Sequence, residues 1–322
     1  MVAPPLVIAH RGASGRCPEH SEAAFVGAVA DGADVLEVDV VSSADGVLVA
    51  RHGWRLTRTT DVEDHPPLLH GRTRRDGHQG LLDDYWVDLL SWEELQVVRC
   101  RERWPDLRPA SAAADGRWPL MSLVEVLRLA GSQARARDRP VGVAVERKDV
   151  RPAQRRRGLD VLTLLHRAFE AGGTPSAHVP VWLMAFEPDV LEELRRRQAR
   201  GQTARTSLVQ LVEASPPQGP EAWDAIAARA DVVGIAHDLV LTSAGATDGP
   251  RVLGEALARG RQVWTWTLRA ENAFLPAALR RGRGPASPGA MDVMVAEAVQ
   301  VGVTGLIGDQ PALLRRLLSV VC

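Results

Sequence analysis

Two short apolar runs in this chain carry acids at a spacing of two. In "ADVLEVDV" (residues 33–40) strand alternation puts Glu37 and Asp39 on one face, with Leu36, Val38 and Val40 on the other. In "VGVAVERKDV" (141–150) the same count puts Glu146 and Lys148 together. Adjacent carboxylates at the end of a buried strand repel each other. Either a cation sits between them or one of them protonates. Glu37, Asp39 and Glu146, brought together from neighbouring strand ends, would form a hard oxygen site. Oxygen donors without a thiolate favour one divalent cation, Mg2+ or Ca2+, over zinc.

Cations and imidazoles accompany the acids. "VIAHRG" (7–12) ends an apolar run on His10 and Arg11. Of the 39 basic residues Lys148 is the only lysine, and it shares a face with Glu146. Arg11, Lys148 and a bound dication around one point describe an anion pocket, and phosphate fits best. "LVARHGWRLTRTT" adds His52 close behind the Glu37–Asp39 run. Two histidines beside a phosphate allow one to take a proton from the nucleophile while the other protonates the leaving oxygen.

These groups must be held by strands. Apolar runs expected to be strands are 5–9, 33–40, 46–51, 141–147, 179–185, 206–211, 231–236, 262–267 and 303–307. Amphipathic stretches between them predict helices at 21–31, 91–99, 121–136, 158–172, 187–200, 221–229, 250–259, 290–301 and 311–320. Ser21 is placed to cap the first helix, and Pro188 opens the one at 187. Repeated β-then-α units imply a parallel sheet covered on both faces. With 46–51 as an accessory strand, eight main strands remain and a (β/α)8 barrel is expected. A doubly wound open sheet is the runner-up, weakened because no glycine fingerprint follows the first strand. Residues 60–118, polar and rich in Arg, Asp, His and Trp, and the long stretch 268–289 break the repeat. Both follow strands, so both are expected on the face where the acids lie.

The totals exclude other classes. A formal net charge of −1 over 322 residues gives no general attraction to nucleic acid or an anionic membrane. No apolar run is long enough to span a bilayer. The first residues show neither a basic n-region nor a long apolar h-region, so a cytoplasmic location is expected, or a secreted one if a leader has been removed. Cys17, Cys100 and Cys322 are far apart and read as isolated thiols. His65, His70 and His78 match no compact metal spacing and read as solvated surface.

Taken in order, these segments resemble the glycerophosphodiester phosphodiesterase family. The family's His-Arg-Gly, Pro-Glu-Asn-Thr, Glu-x-Asp, His-Asp and Glu-x-Lys are met by His10-Arg11-Gly12, Pro18-Glu19-His20-Ser21, Glu37-Val38-Asp39, His52-Gly53 and Glu146-Arg147-Lys148. "VWTWTLRAEN" (263–272) and "VGVTGLIGDQPALL" (301–314) resemble the last two barrel strands. The resemblance spans nearly the whole chain. It implies a single TIM-barrel domain over 1–322 with a cap, residues 60–118, inserted after the second strand. It implies a divalent cation on Glu37, Asp39 and Glu146, and catalytic His10 and His52. Arg11 and Lys148 would bind phosphate, Trp266 and Phe186 would line the substrate wall, and Glu19 would support. Departures are His20 for Asn, Gly53 for the Asp beside the second histidine, Ala185 for a serine before the aromatic, and Gly308-Asp309 for Thr-Asp.

The reaction implied is metal-dependent hydrolysis of glycerophosphodiesters to sn-glycerol 3-phosphate and an alcohol. Three rivals use the same residues. A phospholipase D-type hydrolase would act on lysophospholipids or sphingolipids; Tyr85, Trp86, Trp92, Trp104 and Trp118 could then face lipid, although packing in the core of a small cap is the expected role. A non-catalytic binder of phosphate ligands takes its support from Gly53. A glycosidase reading of Glu37 and Asp39 ranks last, because same-face neighbours on one strand lie too close to flank a sugar bond.

Overall fold

A computed structural model describes residues 4–77, 80–148 and 158–322. Its strands are β1 (Leu6–Ala9), β2 (Val35–Ser42), β3 (Leu48–Ala50), β4 (Arg72–Gly77), β5 (Gly80–Tyr85), β6 (Gly142–Arg147), β7 (Val181–Ala185), β8 (Ser207–Val212), β9 (Val232–Ala236), β10 (Gln262–Leu268) and β11 (Gly305–Gly308). Eight of them pair in parallel in the order β1-β11-β10-β9-β8-β7-β6-β2, and β1 also pairs β2. That last pairing closes the sheet into a barrel and rules out the open doubly wound sheet. β3 lies antiparallel on β2, as the accessory strand expected.

Alternation decides what faces inward. Leu36, Val38 and Val40 point out into the large cluster shared with the helices. Val35 points in, beside Ile8, Ala144, Val209 and Trp264. Glu37 and Asp39 share Val35's parity, so they stand inside the barrel above an apolar floor. Trp182 and Trp264 fill that floor, with ring centroids 5.4 Å apart. Gly305 makes room for them: a Cβ there would meet Trp264 at 2.4 Å. Burial of both faces explains why β2 and β6 read as apolar runs up to their last residues, interrupted by Glu37, Asp39 and Glu146.

The helices cover the outside. Ser21 caps α1 (Glu22–Ala30), its hydroxyl accepting from the Ala24 N–H. The amphipathic stretch expected at 91–99 yields only α2 (Trp92–Leu95), held by a Ser91–Glu94 capping box. Beyond it, Arg99 and Cys100 make bridges to Pro119 and Thr60. Then come α3 (Pro109–Ala112), α4 (Leu123–Arg137), α5 (Val161–Gly172), α6 (Pro188–Ala199), α7 (Gly219–Arg229), α8 (His237–Val240), α9 (Gly249–Ala258), α10 (Met291–Val301) and α11 (Pro311–Val321). Among the described residues no helix is long and apolar enough to cross a membrane.

The segment between β3 and α4 has its own small core. Leu56, Val62, Leu68, Tyr85, Val87, Leu90, Leu95 and Cys100 pack there against Val41 and Val49. The β4–β5 hairpin within it was not expected from the sequence. β4 is polar, β5 carries two adjacent leucines rather than an alternation, and the pair is joined by its antiparallel ladder with an exposed ion pair, Arg72–Asp83, so no apolar period marks them.

Candidate active site

The strand pairing brings the acids together. Asp39 and Glu146 are register partners on β2 and β6, and Glu37 lies one inward position below Asp39. One oxygen from each of Glu37, Asp39 and Glu146 lies within 4.8 Å of the others. All three residues are buried. Contrary to the expected placement at a strand end, Glu37 and Asp39 sit within β2, which runs on to Ser42.

Charge compensation differs for each acid. Burial would raise Asp39, but Lys148 and Arg11, each at 3.0 Å, hold it well below the usual carboxylate range. Burial raises Glu146 to about 7, with Asp39's charge adding and Lys148, which bridges the two acids, opposing. Glu37 is raised well above its ordinary value by burial and then by its acidic neighbours. Its Oε2 accepts the Arg11 N–H at 2.8 Å. Its Oε1 is buried and accepts no hydrogen bond. An orphaned carboxylate oxygen amid two more acids is costly unless a cation completes it. The donor set therefore fits a hard divalent cation.

Arg11 is the hinge of the cluster. It takes a left-handed backbone, φ 59°, which turns its N–H onto Glu37. Its guanidinium reaches Asp39 and Glu19, the latter at 3.1 Å. Glu19 is also bound by Arg103, whose Nε donates at 2.7 Å. Glu19 thus supports by fixing Arg11. His20, also left-handed at φ 60°, accepts the Asp39 N–H on Nε2 at 3.1 Å. Its ring proton therefore sits on Nδ1.

The two histidines have different surroundings. His10 Nδ1 lies 2.6 Å from Asp309 Oδ1. Asp309 stays ionised despite burial because Arg269, His10 and Arg108 surround it. An ionised carboxylate only accepts, so Nδ1 carries the proton and Nε2 keeps its lone pair. Burial and then Arg11 push His10 down to about 4. His52 is exposed at the pocket edge, and the crowding around its ring together with Arg11 lowers it. Gly53 follows at φ 120°, a conformation an aspartate would adopt only under strain.

These groups open into one cavity of about 830 Å3. His10, Arg11, Glu37, His52, Glu146 and Lys148 line it, together with Arg58, Arg103, Trp104 and Arg269. Phe186 and Trp266 form a wall, edge to face with centroids 5.7 Å apart, and Lys148 lies 5.9 Å from the Phe186 ring. Glu19 and Asp39 sit behind this surface. Of the five aromatic residues between 60 and 118 weighed as lipid-facing or core, Trp104 lines the cavity, Tyr85 and Trp86 are buried, Trp92 packs on the small core, and Trp118 is half-buried. His65 pairs with Asp61 and His70 with Glu94, away from the cavity; His78 lies outside the described residues. The three thiols are free.

Arg103, Arg108, Arg269 and His20 were not picked out as site residues from the sequence, nor was Asp309 as a partner of His10. The contact between His10 and Asp309 spans 299 residues, and only closure of the barrel at β1 and β11 reveals it.

The model of the Glycerophosphoryl diester phosphodiesterase family matches residues 10–313. Among curated proteins, Glycerophosphodiester phosphodiesterase GDPD6 of Arabidopsis thaliana is 32% identical over 127 residues, 39% of this chain and 33% of that protein. Glycerophosphodiester phosphodiesterase of Treponema pallidum is 39% identical over 94 residues, 29% and 24% of the two chains. The matched stretches thus span a third or less of these relatives. Among solved structures, an Oleispira antarctica phosphodiesterase in complex with the product sn-glycerol-3-phosphate superposes with a TM-score of 0.68 at 16% identity, covering 98% of this chain and 97% of that one. Glycerophosphodiester phosphodiesterase from Agrobacterium tumefaciens gives a TM-score of 0.60 at 17% identity, covering 97% and 99%. At such identities the likeness speaks for the fold.

Proposed function

Because the chain belongs to the glycerophosphoryl diester phosphodiesterase family, we propose that it hydrolyses glycerophosphodiesters to sn-glycerol 3-phosphate and an alcohol. The observation that carries this reading is the meeting, in one cavity, of both imidazoles, both phosphate-seeking cations and two of the acidic trio, Glu37 and Glu146, with Asp39 clustered against them behind the cavity surface. Residues 60–118 act as the cap of that cavity, contributing Arg103 and Trp104.

Glu37, Asp39 and Glu146 would hold one divalent cation, Mg2+ or Ca2+. Bound there, it supplies positive charge to a phosphate oxygen and lowers the pKa of a neighbouring hydroxyl. The remaining steps belong to the chain. Arg11 and Lys148 orient the phosphate and offset charge that builds on its equatorial oxygens. Phe186 and Trp266 exclude water along the wall beside the glycerol. The attacking oxygen is a water, in line with the leaving alcohol, or the glycerol 2-hydroxyl, in which case a water must then open the cyclic phosphate so formed to give sn-glycerol 3-phosphate. His10 and His52 divide removal of its proton and protonation of the leaving oxygen. His10 enters this step neutral, with Nε2 bare because Asp309 holds Nδ1.

The test is release of the head-group alcohol from glycerophosphocholine, glycerophosphoethanolamine and a long-chain lysophospholipid, with glycerol 3-phosphate followed as the second product of the two short diesters. Turnover of the short diesters is expected. Turnover of the lysophospholipid alone, or ligand binding without any product, would replace this reading with the lipid hydrolase or the binder.

A further inference from the structure

We propose that Arg108 is a positioning residue for His10: a guanidinium from the inserted segment fixes Asp309, and through it the imidazole. This rests on the reading of His10 as an acid/base group. Arg108 precedes α3, and its side chain is only 3% exposed. Each face of the fork is used. Nε donates to Glu271 Oε1 at 2.6 Å, Nη1 to the Ser14 carbonyl at 2.9 Å, and Nη2 to Asp309 Oδ2 at 2.6 Å. These acceptors follow β10, β1 and β11, so one side chain ties the segment to three strand ends of the barrel mouth. The guanidinium also lies 5.0 Å from the Trp104 ring and 5.9 Å from Phe274.

Asp309 is where this clamp meets the chemistry. Its Oδ1 bonds His10, and its Oδ2 is shared by Arg108 and by Arg269, whose Nε donates at 2.9 Å. With both oxygens held, the carboxylate plane is fixed, and so is the ring bonded to it. A latch that only closed the segment could end on any acid; this one ends on the group that sets the histidine's tautomer. A buried guanidinium is tolerable only with all its acceptors in place. Seating of the segment, ionisation of Asp309 and orientation of His10 therefore form one coupled unit. A lysine would keep the charge but could not span three acceptors.

The charged groups facing this pair come from every side: Arg11 and Arg269 toward His10, Arg108 and Arg269 toward Asp309, and Glu271 behind Arg108. Loss of Arg108 leaves more of Asp309's charge to act on His10, so the ring should protonate at higher pH. The test follows the His10 imidazole by 15N NMR in the full-length protein with Mg2+ present, identified by comparison with His10→Gln, alongside kcat and KM. In Arg108→Gln the His10 titration should move up by roughly half a unit to one unit. kcat should fall by about tenfold or more while KM changes little. Arg108→Lys should keep the wild-type titration and recover part of kcat. An unmoved titration in Arg108→Gln, or wild-type kcat, would reduce Arg108 to a latch. Should Arg108→Gln fail to fold, Arg108→Lys decides: full kcat with lowered stability overturns the proposal. The NMR readout needs no turnover, so it separates this proposal from the assignment of hydrolysis.

Discussion

Asp39 on β2 and Glu146 on β6 face each other as register partners, so backbone pairing rather than a loop fixes the distance between two of the three clustered acids. Such a site is built before any ion arrives. Mg2+ or Ca2+ should therefore raise Tm, by an amount equivalent to about 2.7 kcal/mol at a hundredfold excess over Kd. Glu37→Gln should weaken that gain, because Glu37 Oε1 is a buried oxygen of the cluster with no hydrogen bond among the described residues. Thermal melts with and without each ion check this; no shift with either ion speaks against the site.

The histidines should be separately indispensable. His10→Ala and His52→Ala are each expected to lower kcat by roughly 10²–10⁴, with binding of glycerol 3-phosphate largely kept, since Arg11 and Lys148 remain. Steady-state kinetics on both variants, with product affinity by calorimetry, test the point. Wild-type turnover in both would end the acid/base assignment.

Much of this was legible in the sequence, for identifiable reasons. The eight barrel strands are buried on both faces, so they stand out as apolar runs, and period-two alternation paired Glu37 with Asp39 and Glu146 with Lys148 as the structure has them, although Glu37 and Asp39 lie within β2 rather than at its end. What was not legible depends on long-range contact or on polar pairing. The β4–β5 hairpin is joined by its backbone ladder, with an exposed Arg–Asp pair, and shows no apolar period. α8 has four residues, too few for a helical pattern. Arg108 and Arg269 look like any other arginine in an arginine-rich chain until closure of the barrel brings both onto Asp309.

His20 predicts a pH effect on stability. Burial first, against the pull of Asp39 and Glu19, lowers it to about 3. The unfolded chain then binds the extra proton between about 6.5 and 3, so stability is full above 6.5 and declines as pH falls through that window. His10, at about 4, adds to the same decline. His20→Asn keeps a residue that tolerates φ 60° and removes one titrating group. Its loss of Tm between pH 7 and pH 4.5 should be smaller than the wild type's. An equal loss in both proteins would show that His20 does not titrate on unfolding.

Gly53 should resist replacement for backbone reasons alone. Its φ is 120°, and a Cβ built there meets nothing within 4 Å. Gly53→Ala is expected to cost about 1–3 kcal/mol without a clash. Gly53→Asp, although it supplies the acid the family usually carries, should pay the same strain and not raise kcat. Urea unfolding of Gly53→Ala measures the cost; unchanged stability would mean that the loop relaxes.

The most direct single measurement is the rate of glycerol 3-phosphate formation from glycerophosphocholine by the purified chain, first stripped with chelator and then resupplied with Mg2+ or Ca2+. Turnover that vanishes on stripping and returns with the ion is the expected result. Equal rates in both conditions, or no product in either, would contradict a divalent-cation phosphodiesterase built on Glu37, Asp39 and Glu146.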